Sequence, residues 1–168
     1  MNVERAMWRE MSPWGELGVW AESGRLVAID RSPDFRPAAS TPDEWNWSRD
    51  LQNQLSQELA QYAAGQPFHF RTPIYLAGTD WQLRVWRSLQ DLVWGETTSY
   101  GDLARALGQP SASRAVGKAV GENPLLILVP CHRVLGAAGE VTGYRGGLTM
   151  KRALLELESA QLALGLAD

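Results

Sequence analysis

One thiol dominates the chemistry available to this 168-residue chain: Cys131 is its only cysteine, preceded by Pro130 and followed by His132. A lone cysteine is ordinarily a small apolar core residue. Cys131 has a different setting, at the end of the apolar run Leu125 to Val129 and ahead of a segment with glycines at 136, 139, 143, 146 and 147. A thiol attacks as the thiolate, and an imidazole is the usual group that makes one. Neighbours on an extended chain point to opposite sides, so contact between Cys131 and His132 needs a turn or a bridging water. A carboxylate must then orient the ring, and Glu156 and Glu158 near the C-terminus are both candidates. These residues together describe a cysteine nucleophile with its base, for a substrate the chemistry alone does not identify.

The elements that would carry these groups can be read in order. Leu17 and Val19, then Leu26, Val27 and Ile29, flank Glu22-Ser23-Gly24 in the pattern of a β-hairpin. Residues 31–40 form a loop rich in breakers, and Thr41, Pro42 and Glu44 give a capped start to a helix running to about Gly65. Phe68, Phe70, Pro73, Ile74 and Leu76 follow as an extended segment. A second region opens with a capping box at Thr79 and Gln82, and Trp81, Val85, Leu89 and Leu92 share one face of a helix ending at Gly95. Ser99 caps a short helix from Tyr100 to Leu107, closed by Gly108 and Pro110. Ser111 or Ser113 caps the next, whose Ala115, Val116, Ala119 and Val120 make a narrow face before Gly121-Glu122-Asn123-Pro124 stops it. Two short helices about a glycine turn form a helix-turn-helix pattern. The run Leu125–Val129 is a short buried strand or a buried turn, and a last helix spans about Leu148 to Leu164. The fold class expected is α+β: a small N-terminal domain with an antiparallel sheet, residues 1–77, and a mainly helical domain, residues 78–168.

Composition bounds the function. A hydrophobic fraction of 45% and a charged fraction of 21% suit a globular core, and the longest apolar run is too short to span a membrane. The first six residues lack the apolar stretch of a signal peptide, which favours the cytoplasm. With one cysteine and two histidines, His69 and His132, no disulfide framework, metal site or cofactor is expected. The net charge of −3 is unevenly spread: residues 1–72 hold 7 Lys/Arg against 10 Asp/Glu, while residues 81–135 hold 6 against 4.

The segment Leu128-Val129-Pro130-Cys131-His132-Arg133-Val134 resembles the active-site signature of the O6-alkylguanine-DNA alkyltransferases. The resemblance extends to Trp81-Gln82-Leu83-Arg84-Val85-Trp86, Thr98-Ser99-Tyr100-Gly101, Ser113-Arg114-Ala115-Val116-Gly117, Glu122-Asn123-Pro124, Gly143-Tyr144 and Gly146-Gly147-Leu148, in family order and spacing over about residues 79–158. In the N-terminal half only Ser12-Pro13-Trp14-Gly15-Glu16-Leu17 is similar, as an opening hairpin.

This resemblance implies irreversible transfer of the alkyl group of an O6-alkylguanine, mainly methyl, to Cys131 in a single turnover. It implies that His132 takes the thiol proton through water, that Glu158 rather than Glu156 holds the imidazole, and that a depressed thiol pKa supplies the nucleophile. Tyr100 would assist the leaving base, and Asn123 would brace the turn before the cysteine segment. The partner implied is double-stranded DNA entered through the minor groove. Arg114 would fill the gap left by a flipped-out nucleotide, the small residues Ser113, Ala115 and Gly117 would allow close approach, and Lys118 would add a contact. Val134, Tyr144, Arg145 and Leu126 would line the base pocket. Arg145 stands where some relatives carry serine, and Leu126 where some carry proline, so a tight pocket that prefers methyl is expected. Nothing in the pattern calls for more than a monomer. The rival reading is a non-catalytic sensor of alkylation damage, against which the presence of Cys131 counts; a transcription factor and a cysteine hydrolase fit the ordered motifs less well.

Overall fold

The computed structural model describes residues 5–32 and 49–165, with the backbone alone at 160–165. The expected helix start at Thr41 to Glu44 lies outside the described residues. Strands β1 (Arg5–Ser12), β2 (Gly15–Glu22) and β3 (Arg25–Asp30) form an antiparallel meander in that order. The tight turn at Ser23-Gly24, both with positive φ, joins β2 to β3 where the alternating pattern predicts a hairpin. Helix α1 (Arg49–Ala63) buries Leu51, Leu55, Glu58, Leu59 and Tyr62, a face at helical spacing, and Gly65 at φ +74° stops the chain just beyond it.

Helix α2 (Asp80–Gln90) starts with the expected capping box: Thr79 Oγ1 accepts from Gln82 N, and Gln82 Oε1 accepts from Thr79 N. It ends at Gln90, not at Gly95. Asp91 caps it, and the chain turns so that the Leu92 carbonyl accepts from Arg133 Nη1. Gly95 serves the next turn, at φ +75°. The two-residue strand β4 (Thr98–Ser99) leads into α3 (Tyr100–Ala106), whose Asp102 N–H is capped by Ser99 Oγ. Helix α4 (Ser113–Gly121) corrects the expected serine cap: its N-cap is Ala112, without a side-chain bond, because a turn closed by Ala112 N–H to Gln109 O delivers that residue to the helix start. Val116, Ala119 and Val120 are buried there, whereas Ala115 is exposed.

The outer edge of β3 anchors the segments on either side of α2–α4. Leu26 bridges Ile74, and Ile29 bridges Leu125, with Ile29 N–H donating to Pro124 O and Leu126 N–H to Ile29 O. Residues 125–129 are therefore a buried turn held to β3 at one point. Ile127 at its apex has φ +72°, a conformation that costs a β-branched residue of order 1–3 kcal/mol and persists only where its surroundings enforce it. Cys131–Arg133 form one 3-10 turn, then β5 (Val134–Leu135) pairs in parallel with β4. Helix α5 (Leu148–Gly165) closes the described chain. One apolar cluster joins the sheet, α1, α2, the α3–α4 pair, the 125–134 segment and the start of α5. No described helix is long and apolar enough to cross a membrane.

Candidate active site

Cys131 lines a cavity of about 150 Å³ together with Tyr100, Gly117, Asn123, Leu126, Tyr144 and Arg145. Three elements build it. The α3–α4 pair supplies Tyr100 and Gly117; Gly117 has no side chain between α4 and the ring, and a Cβ there would stand 3.6 Å from Tyr100 Cδ1. The turn after α4 supplies Asn123 and Leu126, and the glycine-rich segment supplies residues 143–145. Leu126, Tyr144 and Arg145 thus line one cavity with Cys131. Val134 does not line this cavity; it is buried against Thr98 in the β4–β5 pair. A larger cleft of about 680 Å³ between α1 and the 90–94 turn, lined by Tyr62, Phe70, Leu92, Trp94 and Arg133, does not include the thiol.

Asn123, itself 1% exposed, fixes the nucleophile. Its Nδ2 donates to Cys131 Sγ at 3.0 Å and to Val129 O at 2.9 Å, while its Oδ1 accepts from Leu125 N at 3.0 Å. One side chain therefore braces the whole 123–131 turn and holds the sulfur. Burial nevertheless pushes the Cys131 thiol up to about 11, because the Asn123 bond and the charges of Lys151 and Arg145 only partly oppose it. The depressed thiol pKa expected from the sequence is thus corrected. Lys151 and Arg145 act on the sulfur through their charge without overcoming burial, and the resting group is a thiol.

The 3-10 turn sends His132 away from Cys131 toward α5. The imidazole is fully buried; its Nε2 lies 2.9 Å from Glu158 Oε1, and its Nδ1 has no hydrogen-bond partner among the described residues. Glu158 also accepts from Arg133 Nε at 2.8 Å and Nη2 at 2.9 Å, and from Tyr62 OH at 2.6 Å. Burial alone would raise the Glu158 carboxyl, but the bonds from His132, Arg133 and Tyr62 outweigh it and hold the group down at about 2. An ionised carboxylate can only accept, so Nε2 carries the ring proton and Nδ1 the lone pair. Burial lowers the His132 pKa below its ordinary value against the pull of Glu158, whose charge Arg133 shares. Glu156 makes no such contact among the described residues and sits on the exposed side of α5.

Three members of this arrangement were not singled out by sequence reasoning. Tyr62 reads as one more apolar residue on α1, and Arg133 as part of a signature. Lys151 is fully buried and donates through Nζ to Val134 O and Thr142 O at 2.6 Å, tying the reactive segment to the glycine-rich one. Its signal was available: Lys151, Leu154 and Glu158 fall on one face of α5, so two charges share an apolar stripe. Beyond the cavity, Arg114, Ala115 and Lys118 form the exposed side of α4, with Ser113 half-buried at its start. The described residues contain no cluster of His, Cys, Asp or Glu able to hold a metal ion.

A family model for the DNA-binding domain of 6-O-methylguanine DNA methyltransferase matches residues 80–160. The methylated-DNA--protein-cysteine methyltransferase of Mycobacterium tuberculosis is 53% identical over 104 residues, covering 62% of this chain and 63% of that protein. The match thus spans less than two thirds of that relative's own length. The protein of the same description from Methanosarcina acetivorans is 44% identical over 119 residues, covering 71% of this chain and 76% of that one. Among solved structures, the Mycobacterium tuberculosis OGT in complex with DNA superposes with a TM-score of 0.79 at 39% identity, covering 94% of each chain.

Proposed function

The chain belongs to the O6-methylguanine DNA methyltransferase family, and on that premise we propose that it repairs O6-alkylguanine in duplex DNA by moving the alkyl group irreversibly onto Cys131. The observation that carries this reading is the cavity lined by Cys131, whose Sγ accepts from Asn123 and whose neighbour His132 pairs with Glu158. A cavity of this kind admits a planar base only after the nucleotide has left the stack.

The steps follow from the protonation states. At rest the thiol is protonated and the imidazole neutral, so the nucleophile forms as it reacts. His132 Nδ1 takes the thiol proton through a bridging water, and Glu158 steadies the imidazolium. The sulfur attacks the alkyl carbon in line with the C–O6 bond; an S–C bond forms, the C–O6 bond breaks, and its electron pair goes to the base. Tyr100 supplies a hydrogen bond to the departing guanine. The guanine ends with the proton the thiol lost, and Asn123 steadies the developing thiolate meanwhile. The thioether has no exit, since the chain holds no second thiol. Each molecule acts once.

Recognition would rest on α4. Its exposed Arg114 takes the place of the flipped nucleotide, and Ser113, Ala115, Gly117 and Lys118 face the minor groove. Residues 78–168 would form the reactive unit, with 1–77 packed behind it as a second domain. Arg145 and Leu126 narrow the cavity in favour of methyl. The protein would work as a cytoplasmic monomer. Incubation with a duplex carrying one O6-methylguanine should restore guanine in a one-to-one ratio with protein. Turnover beyond one equivalent, or tight binding with the lesion left intact, would overturn the proposal, the latter in favour of a damage sensor.

A further inference from the structure

The end of β3 makes three contacts with the segments that line the alkyl-transfer cavity. Ile29 holds the turn that contributes Leu126. Arg31 Nη1 donates to Gly146 O at 3.1 Å, on the segment that contributes Tyr144 and Arg145. Between them Asp30, with no exposed surface, presents Oδ2 at 3.4 Å from Arg145 Nη1. The other arm of that guanidinium, Nη2, donates to Gly121 O at the C-terminal end of α4 at 3.1 Å. Arg145, itself part of the cavity lining, therefore ties β3 to α4, anchored at one end by a buried charge and at the other by the carbonyl of Gly121, which also lines the cavity. A helix C-terminus favours a cation, and a buried carboxylate must be paired, so each anchor holds the guanidinium by its own physics. Asp30 is fixed in turn, since its Oδ1 accepts from Ser32 N at 2.7 Å.

We propose that Asp30 is a specificity-determining positioning residue: it holds Arg145 as a strap across the cavity, and the strap sets the largest O6 substituent that Cys131 can reach. This inference rests on the cavity being the alkylguanine pocket. It places control of substrate range in the N-terminal sheet, on a residue that does not touch the base. A strap tied at both ends cannot swing aside for a benzyl group without breaking the Asp30 pair, whereas a methyl group leaves it in place.

The test compares single-turnover rates on an O6-methylguanine duplex with those on the same duplex carrying O6-benzylguanine, per mole of active thiol. Variants are Asp30→Asn, Arg145→Ser, Arg145→Lys and the Asp30→Asn/Arg145→Ser double. Because the Arg145 charge also favours ionisation of Cys131, its loss slows both substrates together, and the readout is the benzyl-to-methyl ratio. Arg145→Ser should raise that ratio by about tenfold or more, the scale on which pocket shape discriminates. Asp30→Asn should raise it in the same direction, and the double variant should match Arg145→Ser alone. Arg145→Lys, which keeps the charge but cannot span both anchors, carries the test if Asp30→Asn does not accumulate, and it too should raise the ratio. An unchanged ratio in Asp30→Asn or Arg145→Lys, or additive effects in the double, would overturn the strap. Absence of transfer from either substrate to wild-type Cys131 would instead overturn the function on which it rests.

Discussion

Tyr62 and Glu158 stand 96 residues apart in the chain, yet the phenol donates to the carboxylate at 2.6 Å. That bond places a residue of α1 in direct contact with the group that orients His132. The carboxylate collects four donor atoms from three side chains, and its charge is balanced by Arg133 on one side. The imidazole is left with a defined proton on Nε2 and a free lone pair on Nδ1. The N-terminal half thus does more than cover the back of the reactive segment.

Removing the carboxylate should be costly. Glu158→Gln leaves Arg133, only 6% exposed, without its counter-charge, and should destabilise the fold by about 3–5 kcal/mol in urea unfolding. The sign with pH follows from the depressed pKa of about 2. The stabilisation is complete above the ordinary carboxylate range and is lost as pH falls toward about 2, so the variant should lose that part of the acid dependence. Tyr62→Phe should cost less, about 1–3 kcal/mol, and should slow transfer while leaving Arg133 paired.

The rate should depend on pH through His132. As a base it works only when neutral, and burial lowers its pKa below the ordinary 6.5. Transfer from free O6-methylguanine should therefore be flat near neutrality and decline only as pH falls below 6.5. A decline that begins well above 6.5 would mean that Glu158, not burial, governs the ring.

Asn123 carries both geometry and charge stabilisation. Asn123→Ala removes the donor on Sγ, and single-turnover transfer should fall by about 10²–10³-fold, as for loss of a buried donor to a developing anion. Asn123→Asp puts a carboxylate beside the thiol, raises its pKa further, and should be slower than the alanine variant at neutral pH.

Arg114 separates flipping from chemistry. Arg114→Ala should slow transfer from the duplex by about tenfold to a hundredfold, the equivalent of a few kcal/mol of unstacking left uncompensated. The rate on free O6-methylguanine should not change. A matching loss on the free base would place Arg114 in the cavity chemistry instead.

Much of the molecule was legible in its residues, for reasons that differ by element. The capping box at Thr79 and Gln82 and the serine cap on α3 are local signals, and both form as written. Tyr100, Asn123, Leu126, Tyr144 and Arg145, each read from the sequence as a site residue, line one cavity with Cys131. Apart from the cap of α4, which a local turn sets, what failed was decided at a distance. The end of α2 is set by Arg133 reaching the Leu92 carbonyl, a contact across 41 residues. The thiol's pKa is set by burial, which neighbours in sequence do not report. Tyr62 and Asp30 look like ordinary core and turn residues until α5 and the glycine-rich segment fold against them.

The most direct measurement is the intact mass of the protein after incubation with a duplex containing one O6-methylguanine, with a Cys131→Ser control and mapping of the modified peptide. The expected result is a gain of one CH2 unit per molecule, located on Cys131 and absent from the control. An unmodified wild-type mass under conditions where the lesion is bound, or a methyl group found on any other residue, would contradict alkyl transfer to Cys131.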